Sequence, residues 1–259
     1  MPNVVVGSRT DVGRQRQLNE DAVLVGDRVW AVADGMGGHA AGDVASSLAI
    51  AALRELDQAD ELTPEGVQAA VSEANRAVTG HGAEHPDALG LGTTVTGLAE
   101  VQLDGEPHWA VFNVGDSRVY RYVNGELLQV SVDHSEVEEL LAAGLIDASQ
   151  ARTHPARHIV TRAIGTRPAP TVDVWVLPQT EGERFLICSD GLTDELRDDE
   201  IAALLGDNPS PRQAADALVE AVLALGARDN VTVVIVDLVG AEASDDEITV
   251  PRDVLEGER

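Results

Sequence analysis

The 259 residues include 45 acidic and 18 basic side chains, for a formal net charge of −27 at pH 7. A polyanion is repelled by nucleic acid and by anionic lipid, so general binding to either is excluded. The apolar share of 44% suffices for a core in one large domain or two small ones. With aromatics at only 3%, Val, Leu, Ile and Ala must fill most of it.

Met1 to Val6 carries neither a basic patch nor a long apolar stretch, so no signal peptide is expected. Nowhere do 18 apolar residues run together, which argues against a membrane span and leaves cytoplasmic residence as the expectation. The first strand-like run, Ala22 to Val25, follows Glu20-Asp21, and the next, Val29 to Ala33, is closed by Asp34. A helix from about Gly42 to Leu56 is expected from the stripe Val44, Leu48, Ala52 and Leu56. Thr63-Pro64 places an N-cap before a proline at the first helical position, ahead of Val67, Ala70, Val71, Ala74 and Val78.

Strands dominate the middle of the chain, at Thr94 to Val101, Trp109 to Val114, Arg118 to Tyr122 and Leu127 to Val130. Asn124-Gly125 is a hairpin signal. Ser135 and Glu138 can form a capping box ahead of Val137, Leu140 and Leu141. Arg184 to Ser189 reads as a buried strand, within which the lone Cys188 is an ordinary buried thiol with no activating partner. Ser210-Pro211 opens a helix with Ala214, Ala217, Leu218, Ala221 and Leu225 on one face, and Val231 to Val236 is a last strand. Consecutive hairpins with flanking helices point to an α+β fold with antiparallel pairing.

Five carboxylate positions share one setting. Glu20-Asp21, Asp34, Asp116, Asp190 and Asp229 each stand at or beside the end of an apolar run. Strand ends brought together can focus oxygen ligands on a hard cation such as magnesium or manganese. Asp is also common wherever a strand turns, because its side chain bonds to nearby backbone. Spacing alone leaves both readings open.

The wording of the segments says more. Arg16-Gln17-Leu18-Asn19-Glu20-Asp21, Asp34-Gly35-Met36-Gly37-Gly38-His39, Gly92-Thr93-Thr94 and Val114-Gly115-Asp116-Ser117-Arg118 are followed by Asp133-His134-Ser135, Thr161-Arg162-Ala163-Ile164-Gly165, Ser189-Asp190-Gly191-Leu192 and Asp229-Asn230-Val231-Thr232. In content and order these eight motifs resemble the bacterial form of the type 2C metal-dependent serine/threonine protein phosphatases. The resemblance implies a four-layer αββα sandwich, two antiparallel β-sheets flanked by helices, in a catalytic domain over residues 1–239. It implies hydrolysis of phosphoserine and phosphothreonine by a water or hydroxide bridging two Mn2+ or Mg2+ ions, without a covalent phosphoenzyme.

The resemblance also assigns residues. Asp34 would bridge the ions, the Gly35 carbonyl would serve one, Asp190 and Asp229 the other, and Glu20 would face the second directly or through water. Asp116 would pair with Asp190 around a third, weaker ion. Arg16 would bind the phosphate, since its planar fork donates two hydrogen bonds to phosphate oxygens. His39 is the candidate for protonating the leaving oxygen, although the Met36-Gly37-Gly38 spacer is absent from some relatives. Residues 145–170 resemble a flap beside the active site, in which Arg152, Arg157, Arg162 and Arg167 could receive a phosphopeptide while Arg162 could instead make a structural salt bridge. His158 stands where some relatives place a small polar residue near the third ion, which leaves that ion's affinity open.

Residues 240–259 fall outside the resemblance and read as an acidic, disordered tail, in which Thr249 stands among acids as a site for a serine/threonine kinase. Expected partners are phosphoserine and phosphothreonine proteins and cognate kinases, with the chain itself a monomer. Two other readings stay open: a pseudophosphatase that binds phosphoproteins without turnover, and a module of an anti-sigma regulatory system. Retention of Glu20, Asp34, Asp190 and Asp229 weighs against the first.

Overall fold

The computed structural model describes residues 3–37, 41–85 and 90–240. Within them the chain forms β1 (Asn3–Asp11), β2 (Asp21–Val25), β3 (Val29–Met36), α1 (Ala41–Asp57) and α2 (Pro64–Glu84). There follow β4 (Gly92–Thr93), β5 (Val95–Leu103), β6 (Glu106–Val114), β7 (Arg118–Val123), β8 (Glu126–Gln129), α3 (Glu136–Ala142) and α4 (Ala148–Ala151). The rest is β9 (Asp173–Pro178), β10 (Arg184–Cys188), α5 (Asp190–Thr193), α6 (Asp198–Asp207), α7 (Pro211–Leu225) and β11 (Val231–Val239).

The strands pair antiparallel throughout and make two sheets, one in the order β1-β11-β10-β7-β8, the other β2-β3-β5-β6-β9 with β4 added beside β3. Strand sequences explain the layering. Along β3, Val29, Ala31 and Ala33 pack toward α1 and α2, while the alternate Trp30 and Val32 face the other sheet. Along β11, Val231, Val233 and Ile235 pack with α6 and α7, while Val234, Val236 and Leu238 face inward. Both faces of each sheet are therefore covered, which is why these strands read as continuous apolar runs rather than as alternation. The result is the expected four-layer αββα sandwich.

The scarce aromatics gather between the sheets. Trp30 meets Trp109 edge-on at 6.0 Å and Trp109 meets Phe185 at 5.7 Å, tying one sheet to the other. Trp109 Nε1 donates to the buried Glu183 at 2.6 Å, which also takes Arg121 at 2.7 Å.

Turns and caps follow local chemistry. Asn124 and Gly125 have φ of 53° and 83°, as the expected two-residue hairpin requires, and Asp104-Gly105 repeats the device between β5 and β6 at 54° and 81°. Thr63 accepts from Gly66 N at 3.1 Å and Ser210 from Gln213 N at 3.2 Å, so both Pro-led helices start where expected. Only half of the Ser135 capping box forms: Ser135 Oγ accepts from Glu138 N at 3.3 Å, while Glu138 lines a small cavity together with Arg118 and Asp133.

The long connection from β8 to β9 holds α3 and α4 and is tied down at few points. Ser135 bridges Val160, and Thr93 bridges Ile164. The buried Asn75 of α2 accepts from Gly165 N at 2.8 Å and Thr166 N at 3.2 Å and donates to Thr166 O. Asn75→Ala leaves these backbone groups without their partner, at a cost of about 1–3 kcal/mol. The expected outcome is a lower denaturation midpoint together with faster protease cleavage between residues 145 and 170; unchanged cleavage would show that Asn75 does not hold this segment.

Candidate metal centre

Antiparallel pairing puts the start of β2, the end of β3, the β6–β7 turn, the end of β10 and the start of β11 at one end of the sandwich. A cleft of about 540 Å³ opens there, and its walls include Arg16, Glu20, Asp34, Gly35, Asp116, Asp190 and Asp229. All the expected ligand residues and the expected phosphate-binding arginine are thus brought together. His39 lies outside the described residues.

Each carboxylate is fixed through its backbone. Asp34 N donates to Thr94 Oγ1 at 2.9 Å, and Asp34 O accepts from Thr94 N and Thr93 Oγ1, both at 2.9 Å. Gly35 N donates to Glu20 O at 3.1 Å, and a Cβ on Gly35 would lie 2.2 Å from Gly42 O, so no larger residue fits. Asn230 accepts from Glu20 N at 2.8 Å and donates to Val12 O and Leu18 O at 2.9 Å, clamping the β1–β2 loop against Asp229. Gly191 packs so closely on Asn230 that an added Cβ would sit 1.9 Å from its carbonyl oxygen, which holds Asp190 beside Asp229.

The turn that carries Asp116 is held from three sides. His134 Nδ1 accepts from Gly115 N at 3.0 Å, His134 N donates to Gly115 O at 2.8 Å, and Asn113 Nδ2 donates to the same carbonyl at 3.0 Å. Arg118 grips Asp133 with bonds of 2.7–3.0 Å. Burial holds the His134 imidazole below its usual pKa, which suits a ring whose Nδ1 must accept. Its Nε2 faces Asp173 at 3.1 Å. Arg162 also meets Asp173 at 3.1 Å, so this arginine makes the structural salt bridge rather than facing the cleft.

The carboxylates cannot all stay ionised side by side without protons or a cation between them. Asp21 and Asp34 stand directly opposite across β2 and β3, an arrangement in which like charges destabilise a sheet. Burial, then the charges of Asp21, Asp190 and Asp116, pushes the Asp34 carboxyl well above its usual range. Burial raises Asp21 to about 7 and Asp190 to about 6, and lifts Asp116 well up. Asp21 Oδ2 accepts from Ser189 Oγ at 2.9 Å, yet its Oδ1 is buried with no hydrogen-bond partner. Crowded, desolvated oxygen donors of this kind fit a hard divalent ion.

Two placements were not anticipated, and one residue gains a role. Asp21, read from the sequence only as a strand-end carboxylate beside Glu20, joins the same cluster; its inward direction follows from the β2–β3 register. Asp190 does not end its strand but opens the short α5, with Ser189 as N-cap residue. Arg16, expected to be turned toward phosphate, donates to Asp229 Oδ2 at 2.6 Å, an ion pair at the cleft's edge. Cys188 is buried, its thiol pushed up to about 12 by desolvation, as an inert core residue would be.

Known proteins resemble this chain in sequence and fold. The family model for protein phosphatase 2C matches residues 12–224. The serine/threonine protein phosphatase PstP of Mycobacterium tuberculosis is 38% identical over 263 residues, covering 94% of this chain and 49% of that protein, so the chain spans about half of that relative's length. The serine/threonine phosphatase stp of Listeria monocytogenes is 36% identical over 242 residues, covering 88% of this chain and 94% of its own. A crystal structure of the PstP catalytic domain in complex with two manganese ions superposes with a TM-score of 0.81 at 38% identity, covering 92% of this chain and all of that one. With this match over most of its length, the chain belongs to the protein phosphatase 2C family.

Proposed function

We propose that this chain is a metal-dependent protein serine/threonine phosphatase. The observation that carries the reading is the cluster of Asp21, Asp34, Asp116 and Asp190, four desolvated carboxylates that can be ionised together only with cations among them. The names of the relatives, and the two manganese ions of the PstP catalytic domain, support it.

Asp34 and the Gly35 carbonyl, Asp190 and Asp229, and Glu20 are assigned as the holders of two Mn2+ or Mg2+ ions, with Asp116 and Asp190 at a third. When bound, such a pair supplies a water activated between the two ions for direct attack on phosphorus, and neutralises phosphate charge. Arg16 takes phosphate oxygens from the edge of the cleft, a short swing from Asp229. Arg157, which lines the same cleft, faces the substrate side. Residues 145–170 act as the flap, and His39 is assigned the proton for the leaving serine or threonine oxygen.

No serine or cysteine nucleophile is needed, so phosphate passes to water in one displacement. Substrates are phosphoserine and phosphothreonine proteins, and cognate kinases are the partners that supply them. Among the described residues no helix is long and apolar enough to cross a membrane. The tail and Thr249 lie outside the described residues, and the kinase reading of Thr249 remains to be tested by mass spectrometry after co-expression with kinases.

Hydrolysis of a phosphothreonine peptide is expected with Mn2+ or Mg2+, to be abolished by chelator, and to fall at least about 10²–10³-fold in Asp34→Ala and Asp190→Ala, the range seen for losing a single charge-stabilising group. Metal binding without turnover in the wild type would instead make the chain a phosphoprotein-binding regulator. In H₂¹⁸O a single turnover should place solvent oxygen in the phosphate with no phosphorylated protein detected; a trapped phosphoenzyme would remove the direct mechanism.

The raised carboxyls also set a pH dependence. Asp21 and Asp190 bind protons more tightly in the folded protein than in the unfolded one, so they favour folding at low pH. That contribution is lost as pH rises through about 6 to 7. Metal-free protein should therefore melt at a higher temperature at pH 5 than at pH 8. Mn2+ at 100 times its dissociation constant should add about 2.7 kcal/mol at pH 8. Asp190→Asn, which removes one repelling charge, should flatten the metal-free slope and blunt the response to Mn2+; calorimetry across pH with and without metal checks both.

A further inference from the structure

The last turn of α2 carries two histidines four residues apart. His85 N donates to His81 O at 3.0 Å, which closes the turn and sets both side chains on one face of the helix. Their ring centroids stand 4.3 Å apart, with the planes inclined at 31°. His81 is half-buried and His85 exposed. Elsewhere His108, His134, His154 and His158 each meet a polar partner through a ring nitrogen, whereas among the described residues these two imidazoles meet only each other. We propose that His81 and His85 form a two-imidazole chelating site for a borderline divalent transition ion, Cu2+ or Ni2+ in class. No residue of α2 lines the carboxylate cleft, so the site is separate from the metal centre and goes beyond the phosphatase reading.

The spacing suits adjacent positions on one ion. Two imidazoles bound about 2.0–2.1 Å from a shared ion at a right angle bring their ring centroids to roughly 4.5 Å, and at a tetrahedral angle to roughly 5.1 Å. The observed 4.3 Å is close to the first figure, so the side chains need only turn their nitrogens inward without moving apart. A right angle is the geometry of tetragonal Cu2+ and Ni2+ sites, which imidazole suits. Among the described residues no third His, Cys, Asp or Glu converges with the pair, so the remaining positions on the ion stay open to solvent or to a ligand it brings.

Local electrostatics favour a cation at the same place. A helix C-terminus is the negative end of the macrodipole, and α2 ends on Glu84 with His81 as the only basic residue of its last turn. A bound ion would offset both, on a protein of net charge −27. The two kinds of site would also sort metals by their donors: the oxygen-lined cleft suits Mg2+ and Mn2+, and the nitrogen pair takes Cu2+ most strongly. The same turn has a structural neighbour worth steadying. Val78, Thr79 and Gly82 wall a hollow with Gly90 and Leu91, just ahead of β4, whose Thr93 Oγ1 donates to Asp34 O at 2.9 Å. An ion across His81 and His85 would fasten the turn on which that segment rests.

The test uses the full chain and Cu2+ held by nitrilotriacetate, a chelator that leaves two neighbouring positions on the ion free and keeps it from the carboxylates. Calorimetric titration gives the affinity, and pulsed electron paramagnetic resonance counts the coupled imidazole nitrogens. Wild-type protein is expected to bind one equivalent, show two such nitrogens and melt at a higher temperature with the probe than without it. His81→Ala and His85→Ala should each weaken binding about 10²-fold, since the second ligand of a linked pair acts at high effective concentration, and leave at most one coupled nitrogen. His108→Ala should change none of these readings. The nitrogen count in the wild type depends on no substitution. A wild type that binds no probe or couples to a single nitrogen, or an affinity that survives both substitutions, overturns the proposal. None of these results bears on hydrolysis of phosphopeptide with Mn2+, which is measured separately.

Discussion

Mutual repulsion among buried carboxylates is the constraint on which this molecule turns. Asp21 and Asp34 are paired across two strands, Asp190 and Asp116 press on the same space, and burial removes the water that would screen them. A fold assembled for stability alone would scatter these groups. Here two sheets and four connections converge to force them together, so much of the surrounding hydrogen bonding resists a local tendency to spread.

That resistance comes from the motifs which carry no chemistry of their own. Thr93 and Thr94 hold the Asp34 backbone, Asp133-His134-Ser135 braces the Gly115-Asp116 turn, and Asn230 and Gly191 draw Asp190 and Asp229 together. Arg162 belongs to this scaffold through Asp173. The bonds among these segments are mostly backbone to side chain, short and at least partly buried. Such bonds fix positions more firmly than pairs of flexible side chains do, because fewer rotamers are left to order.

Much of this was legible in the sequence. The two Pro-led helices, the Asn-Gly hairpin and the strands ending in Asp announced themselves by local chemistry, and the eight motifs carried both the layer architecture and the carboxylates that meet in the cleft. Elements with weaker signals went unread. β1 mixes Gly7, Ser8 and Arg9 among its valines and lies at a sheet edge, β9 is short and partly exposed, and α6 begins at Asp198 without a Ser or Thr cap. Asp21 was read as a strand-end carboxylate but given no ligand role, because direction across a strand depends on register, which one strand's residues do not state. The bond from Arg16 to Asp229 and the approach of His158 to Asp194 join residues 213 and 36 positions apart, and no spacing rule reaches so far.

β11 has a further consequence, for the order in which the site can come into being. It lies between β1 and β10, pairs with β1 along nine residues, and follows Asp229-Asn230. The first and last strands of the fold are therefore neighbours, and the sheet that bears half the cleft stays split until the last one is inserted. A chain emerging from the ribosome can form hairpins β5–β6 and β7–β8 early, because they close over two residues. It cannot assemble the metal centre until residues near 239 are free. Incomplete chains would thus bear unopposed acidic loops, and the carboxylate cluster would come together in one step, with closure of the sheet.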